Sequence, residues 1–127
     1  MLFEHFALNV SDPRAMARWY VKNCRMQVVR SLDKEPFTHF LADAGGRVVA
    51  EIYSNPKDPV PDYASTHPLR FHFAFAVKDI EDVKKRLIAA GARLEDASTL
   101  EDGSRVVMLR DPWGLPLQLC QRTKPMV

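Results

Sequence analysis

The chain has 127 residues, enough for one compact domain or for two small halves that share a core. Its 18 basic and 16 acidic residues leave a net charge of +2, so nucleic acid is not a favoured partner. No apolar run approaches the length that spans a membrane and no secretory signal precedes the first predicted strand, so we expect a cytoplasmic protein with no membrane partner.

The first half of the chain predicts a strand, a helix and then three more strands. Residues 3–10 alternate between an apolar face and a face that carries His5, which is typical of a strand. Asp12 and Pro13 then begin a helix, as its N-cap and its first residue. Three further strands, separated by turn signals, are predicted at 26–31, 36–42 and 47–53.

The second half follows the same plan after a proline-rich segment. Residues 55–68 carry four prolines, so we predict a linker without regular structure there. Residues 69–77 then predict a strand with three phenylalanines on one face and His72 on the other. Asp79 caps the second helix. The remaining strands are predicted at 92–95, 105–110 and 115–121.

An internal repeat with an offset of 67 residues relates the two halves. The pairs that it matches are His5 with His72, Asp12 with Asp79, Phe40 with Val107, and Glu51 with Gln118. A repeat that keeps one register indicates two copies of one supersecondary module. We therefore predict an α+β fold of two βαβββ modules that form a half-open curved sheet, all within a single domain. The modules are placed at about 1–54 and 69–122.

Each helix is expected to cover one face of its sheet, and this face supplies the predicted core. Large apolar side chains recur there with strand and helix periodicity. The predicted core comprises Phe6, Leu8, Val10, Trp19, Phe71, Phe73, Phe75, Val83 and Leu87.

The opposite face carries four side chains that can ligate a metal ion. The repeat places His5, Glu51, His72 and Gln118 at equivalent positions there, two in each module. Imidazole nitrogen suits Zn, Ni, Co, Fe or Mn, and oxygen ligands complete such a shell. The alternative is a metal-free pocket in which the histidines and the glutamate are satisfied by hydrogen bonds.

Three other side chains are candidates for a substrate pocket. Tyr53 and Arg70 are placed on inner strands, where they can orient a substrate oxygen or anion, although rim residues fit the pattern equally. Cys120 shares the face of Gln118 and is either a reactive thiol or a packed cysteine. Cys24 and Cys120 have no metal-type spacing and suggest no disulfide framework.

The chain resembles the vicinal-oxygen-chelate superfamily over essentially its whole length. This superfamily includes glyoxalase I, bleomycin- and fosfomycin-resistance proteins, methylmalonyl-CoA epimerase and extradiol dioxygenases. The stretches that carry the resemblance are His5 with residues 10–12 and 19–20, residues 49–52, residues 72–77 with Asp79, and residues 111–114 with 117–119. The resemblance implies metal ligands at His5, Glu51, His72 and Gln118, and a homodimer.

The same resemblance implies a glyoxalase-like lyase or isomerase that acts on a small oxygenated metabolite, with Glu51 as the catalytic carboxylate. Gln118 stands where glyoxalase I has a glutamate, so the glyoxalase I activity itself lacks one candidate base. Two alternatives remain. One is a metal-free protein that binds and sequesters a small molecule, as bleomycin-resistance proteins do. The other is a dioxygenase of the extradiol type, because two histidines and one carboxylate also suit ferrous iron.

Overall fold

A computed structural model describes all residues, 1–127. The chain divides into two compact units, unit 1 from Met1–Pro61 and unit 2 from Asp62–Val127. Each unit contains one four-stranded sheet and one α-helix in the order β-α-β-β-β, which confirms the predicted α+β fold with two βαβββ modules. Neither helix has the length and apolar character that crossing a membrane requires.

Unit 1 is an open mixed sheet with a helix packed on it. Its elements are β1 (Phe6–Asn9), α1 (Pro13–Cys24), β2 (Gln27–Ser31), β3 (His39–Ala42) and β4 (Val48–Tyr53). The strand order is β1-β4-β3-β2, in which β1 runs parallel to β4 and the other neighbours are antiparallel. As the sequence predicts, the Asp12 carboxylate accepts a hydrogen bond from the Ala15 backbone N–H at 2.9 Å and caps α1.

Unit 2 repeats this arrangement. Its elements are a short 3-10 helix (Tyr63–Ser65), β5 (Phe73–Ala76), α2 (Ile80–Ala89), β6 (Arg93–Thr99), β7 (Arg105–Arg110) and β8 (Pro116–Gln121). The strand order is β5-β8-β7-β6, with β5 parallel to β8. Asp79 caps α2 by accepting from the Asp82 backbone N–H at 3.0 Å.

Strand register preserves the repeat where the candidate ligands lie. Ala7 pairs with Glu51 in unit 1, and Ala74 pairs with Gln118 in unit 2. Both members of the pair are therefore related by the same offset of 67 residues. The proposed match of Phe40 with Val107 is wrong by one residue. Phe40 pairs with Glu51, whereas Gln118 pairs with Met108, and the β3–β4 ladder contains an irregularity that the β7–β8 ladder lacks.

Several predicted boundaries are wrong. In unit 1, β1 begins at Phe6 rather than at 3, and β3 begins at His39 rather than at 36. The first strand of unit 2 begins at Phe73 rather than at 69, so His72 and Arg70 precede it. A hydrogen bond from the Arg70 backbone N–H to the His67 carbonyl, at 2.9 Å, makes a turn there instead. The proline-rich segment contains the 3-10 helix (Tyr63–Ser65), and β6 continues to Thr99 because it stays paired with β7.

The predicted core is only partly confirmed. Val10 and Leu87 are buried, whereas the other seven predicted core side chains are half-buried. Several of the latter come from β1 and β5, which are edge strands with a neighbour on one side only. The interior strands supply the buried residues, including Ile52 in unit 1 and Leu117 and Leu119 in unit 2.

Candidate metal site

His5 and Glu51 meet on one face of the unit 1 sheet. His5 lies two residues before Ala7, the partner of Glu51, so both side chains are on the same side of the sheet. The distance from His5 Nε2 to Glu51 Oε2 is 3.2 Å, and both side chains are about three-quarters buried. The edge of the His5 ring packs on Phe40, with 5.3 Å between the ring centroids. Phe40 therefore holds the imidazole beside the carboxylate.

A second carboxylate contacts the same imidazole. His5 Nδ1 lies 3.2 Å from Glu4 Oε1, on the opposite side of the ring from Glu51. A neutral imidazole has one N–H, so it can donate to only one of the two glutamates. When Nδ1 donates to Glu4, the lone pair of Nε2 faces a Glu51 oxygen. In the other tautomer the Nε2 proton lies toward Glu51, and a metal ion held by Nε2 and Glu51 would take the place of that proton.

His72 in unit 2 is oriented by a backbone carbonyl. Its Nδ1 lies 2.8 Å from the Pro68 oxygen, which can only accept, so Nδ1 carries the proton. The neutral ring then presents the lone pair of Nε2. A histidine fixed through one nitrogen in this way is typical of metal ligands. No sequence pattern indicates the role of Pro68, because the contact depends on the turn that precedes β5.

Gln118 is half-buried on β8, beside Cys120 on the same face. The Cys120 thiol donates a hydrogen bond to Gln118 Oε1 at 3.2 Å. Cys120 is buried, and burial raises the pKa of its thiol despite the nearby charge of Arg122. A neutral thiol that packs and orients the amide fits this geometry better than a reactive thiolate does.

The structure brings His5 and Glu51 together within unit 1. It contains no group of three or more His, Cys, Asp and Glu side chains placed to share a metal ion. Tyr53 is half-buried on β4, opposite Asn9 of β1, and its backbone oxygen accepts from Val10. Arg70 is exposed and, contrary to expectation, is not on a strand.

Comparison with known proteins places the chain in one family. A family model described as the Glyoxalase/Bleomycin resistance protein/Dioxygenase superfamily matches residues 2–119. No curated protein matches the chain.

Solved structures of the same fold include proteins of similar length. The structure of SMU.1112c is 28% identical with a TM-score of 0.71, covering 95% of this chain and 98% of that one. A glyoxalase family protein from Enterococcus faecalis is 28% identical with a TM-score of 0.66, covering 94% and 97%. A variant of glyoxalase I from Zea mays is 22% identical with a TM-score of 0.72 and shows similarity of fold alone; the match covers 95% of this chain and 45% of the maize chain.

Proposed function

Because the chain belongs to the glyoxalase, bleomycin resistance protein and dioxygenase superfamily, we propose that it is a metal-dependent enzyme of the lyase or isomerase type. The family that the sequence motifs indicated is thereby confirmed. The proposed substrate is a small oxygenated metabolite. The observation that carries the proposal is the 3.2 Å approach of His5 Nε2 to Glu51 Oε2.

That distance suits two ligands of one metal ion. Nitrogen and oxygen bound tetrahedrally at typical zinc distances lie about 3.4 Å apart. We propose His5, Glu51 and His72 as ligands of one divalent ion, of the series Zn, Ni, Co, Mn or Fe, with Gln118 as a weaker fourth ligand. A neutral amide donates less charge than a carboxylate, so we expect lower affinity than a shell with two glutamates would give.

Such an ion, when bound, polarises a substrate oxygen and stabilises the negative charge that develops on it. Glu51 is the carboxylate of the proposed shell, so it acts both as ligand and as proton carrier. Its Oε2 faces His5, so its Oε1 is the oxygen that would accept a proton from substrate. His72, fixed through Nδ1, would use its Nε2 to hold the ion rather than to transfer a proton.

Replacing Glu51 with glutamine should lower turnover at least about 100-fold, because the amide cannot accept the proton. The assay uses metal-loaded protein and a panel of α-oxoaldehyde thiol adducts, acyl-CoAs and catechols. Glu101→Gln, an exposed glutamate in the turn between β6 and β7, is the matched control and should leave turnover unchanged. Undiminished turnover by the Glu51→Gln protein would refute the role of Glu51.

The second candidate is a binding protein that sequesters a small molecule without turnover. Gln118 favours it, because its amide oxygen already accepts from Cys120 and supplies no charge to a metal. Saturable binding of a panel compound with no turnover, by both the unaltered and the Glu51→Gln protein, would support this candidate. Catechol cleavage would instead indicate the dioxygenase type.

We also propose a homodimer as the working form, following the resemblance to proteins that pair. Exposed apolar side chains, among them Val29 on β2 and Leu94 on β6, are compatible with a partner surface. Sedimentation as a monomer at high protein concentration would contradict the dimer.

A further inference from the structure

An open groove of about 470 Å3 lies in unit 1 between α1 and the strands β2 and β3. Val21 and Val28 contribute apolar surface, and His39 lines it from β3. His39 pairs with Ile52, whose neighbour Glu51 projects from the other face of the sheet. The groove is therefore on the opposite face from His5 and Glu51, and no step of the proposed function uses it.

Three cations of α1 line this groove. Arg14, Arg18 and Lys22 follow one another at four-residue intervals, so they occupy one side of the helix over about 12 Å. Residues 13–32 contain five arginines and lysines and no aspartate or glutamate. Asp33 is the one carboxylate that lines the groove. The groove thus carries an excess of positive charge, although the whole chain is nearly neutral.

These cations lack the carboxylate partners that the equivalent helix of unit 2 provides. On α2, Lys84 pairs with Glu81, and Arg86 pairs with Asp82. On α1, neither Arg18 nor Lys22 forms an ion pair or a side-chain hydrogen bond. The 67-residue repeat matches Arg14 to Glu81 and Lys22 to Ala89, so the row of three cations is a feature of this groove and not of the fold.

Two other groups of the groove are held in place. The Arg14 guanidinium lies over the Phe37 ring, 4.1 Å from its centroid, and donates to the Asp33 backbone oxygen at 3.2 Å. His39 Nδ1 lies 2.7 Å from the Phe37 carbonyl, so Nδ1 carries the proton and this hydrogen bond fixes the ring. One end of the groove is therefore preorganised, which lowers the entropic cost of binding.

We propose that this groove binds a small organic phosphate. A phosphate monoester is close to a dianion at neutral pH and offers three acceptor oxygens, which suits two or three neighbouring cations better than a carboxylate does. The volume is within the range of small-molecule sites, and the apolar side chains offer contact for the organic part of the ligand.

Phenyl phosphate is the probe, with inorganic phosphate, benzoate and phenol as partial ligands. Calorimetric titration of the full chain should give saturable binding of phenyl phosphate with a dissociation constant below about 1 mM. Inorganic phosphate and benzoate should each bind at least about fivefold more weakly, and phenol should not bind. Backbone amide resonances of residues 14–22 and 39 should shift on titration. Equal affinity for benzoate would refute the preference for phosphate, and no saturable binding below about 10 mM would refute the site.

A charge-reversed pair of variants locates the binding. Arg18→Glu combined with Lys22→Glu should weaken phenyl phosphate binding at least about tenfold, since both side chains are unpaired surface groups whose replacement leaves folding contacts intact. Lys85→Glu is the control at the position on α2 that the repeat matches to Arg18, and it should change the affinity by less than about twofold. An equal loss in the Lys85→Glu protein would show general charge attraction and refute the groove as the site.

Discussion

Replacement of Arg110 by methionine should lower the free energy of unfolding by about 3–5 kcal/mol. Arg110 ends β7 and is buried, with 6% of its side chain exposed. Its guanidinium donates to the Tyr63, Gly114 and Thr66 backbone oxygens at 2.9, 3.1 and 2.9 Å, and it pairs with Glu95. Methionine fills similar volume but removes every one of these donors, so the buried Gly114 carbonyl and the half-buried Tyr63 and Thr66 carbonyls lose their partner. Urea denaturation followed by circular dichroism measures the change.

Arg105→Met is the matched control for this prediction. Arg105 begins the same strand and also pairs with a glutamate, Glu81, but 41% of its side chain is exposed. The Glu81 carboxylate has a lowered pKa because Lys84 and Arg105 hydrogen-bond to it. Exposed ion pairs of this kind contribute little to the free energy of unfolding, so Arg105→Met should shift the denaturation midpoint only slightly. Equal losses in the two variants would show that Arg110 stabilises unit 2 through its charge alone.

Gly114→Ala should destabilise the protein by about 3 kcal/mol. Gly114 has a φ of +87°, which disfavours any side chain. An added Cβ would also lie 2.7 Å from the Ala64 Cβ and 2.9 Å from the Ala64 Cα and N. The 3-10 helix that contains Ala64 would have to move away, although Arg110 holds it through the Tyr63 and Thr66 carbonyls. Strain and steric conflict therefore act together, and thermal or urea unfolding reports their sum.

Gly46→Ala separates these two causes. Gly46 has nearly the same φ, +86°, but an added Cβ would meet nothing within 4 Å. Gly46→Ala should lower the free energy of unfolding by about 1 kcal/mol, from backbone strain alone. If Gly46→Ala and Gly114→Ala lower stability equally, the close approach of Gly114 to Ala64 has no energetic consequence.

The repeated module was predictable because it rests on local patterns. Asp12 and Asp79 each precede a helix at the same offset that relates Glu51 to Gln118, and the structure keeps that offset in the parallel strand pairs. Alternation along β5 correctly predicted a strand. It predicted neither its late start at Phe73 nor its edge position, because both depend on residues far along the chain.

Sequence patterns did not predict the contacts that involve loop residues. His72 is oriented by the carbonyl of Pro68, which any residue type supplies, so no side-chain motif marks it. A buried arginine such as Arg110 contradicts ordinary burial preferences, and only the folded path of residues 63–66 brings carbonyl oxygens to it. The charge of α1 was visible as Arg14, Arg18 and Lys22 at helical spacing, but its lack of partners was not.

Metal uptake by histidine variants tests the central claim most directly, namely that His5 and His72 ligate one divalent ion. The chain has four histidines, so His5→Ala and His72→Ala can be compared with His39→Ala and His67→Ala in protein purified without a chelator or an affinity tag. Titration with Co(II) or Zn(II) should show uptake by the unaltered protein and by the His39→Ala and His67→Ala proteins. His5→Ala and His72→Ala should each weaken the affinity for the metal at least about tenfold. No uptake by the unaltered protein, or uptake that survives both His5→Ala and His72→Ala, would contradict the claim.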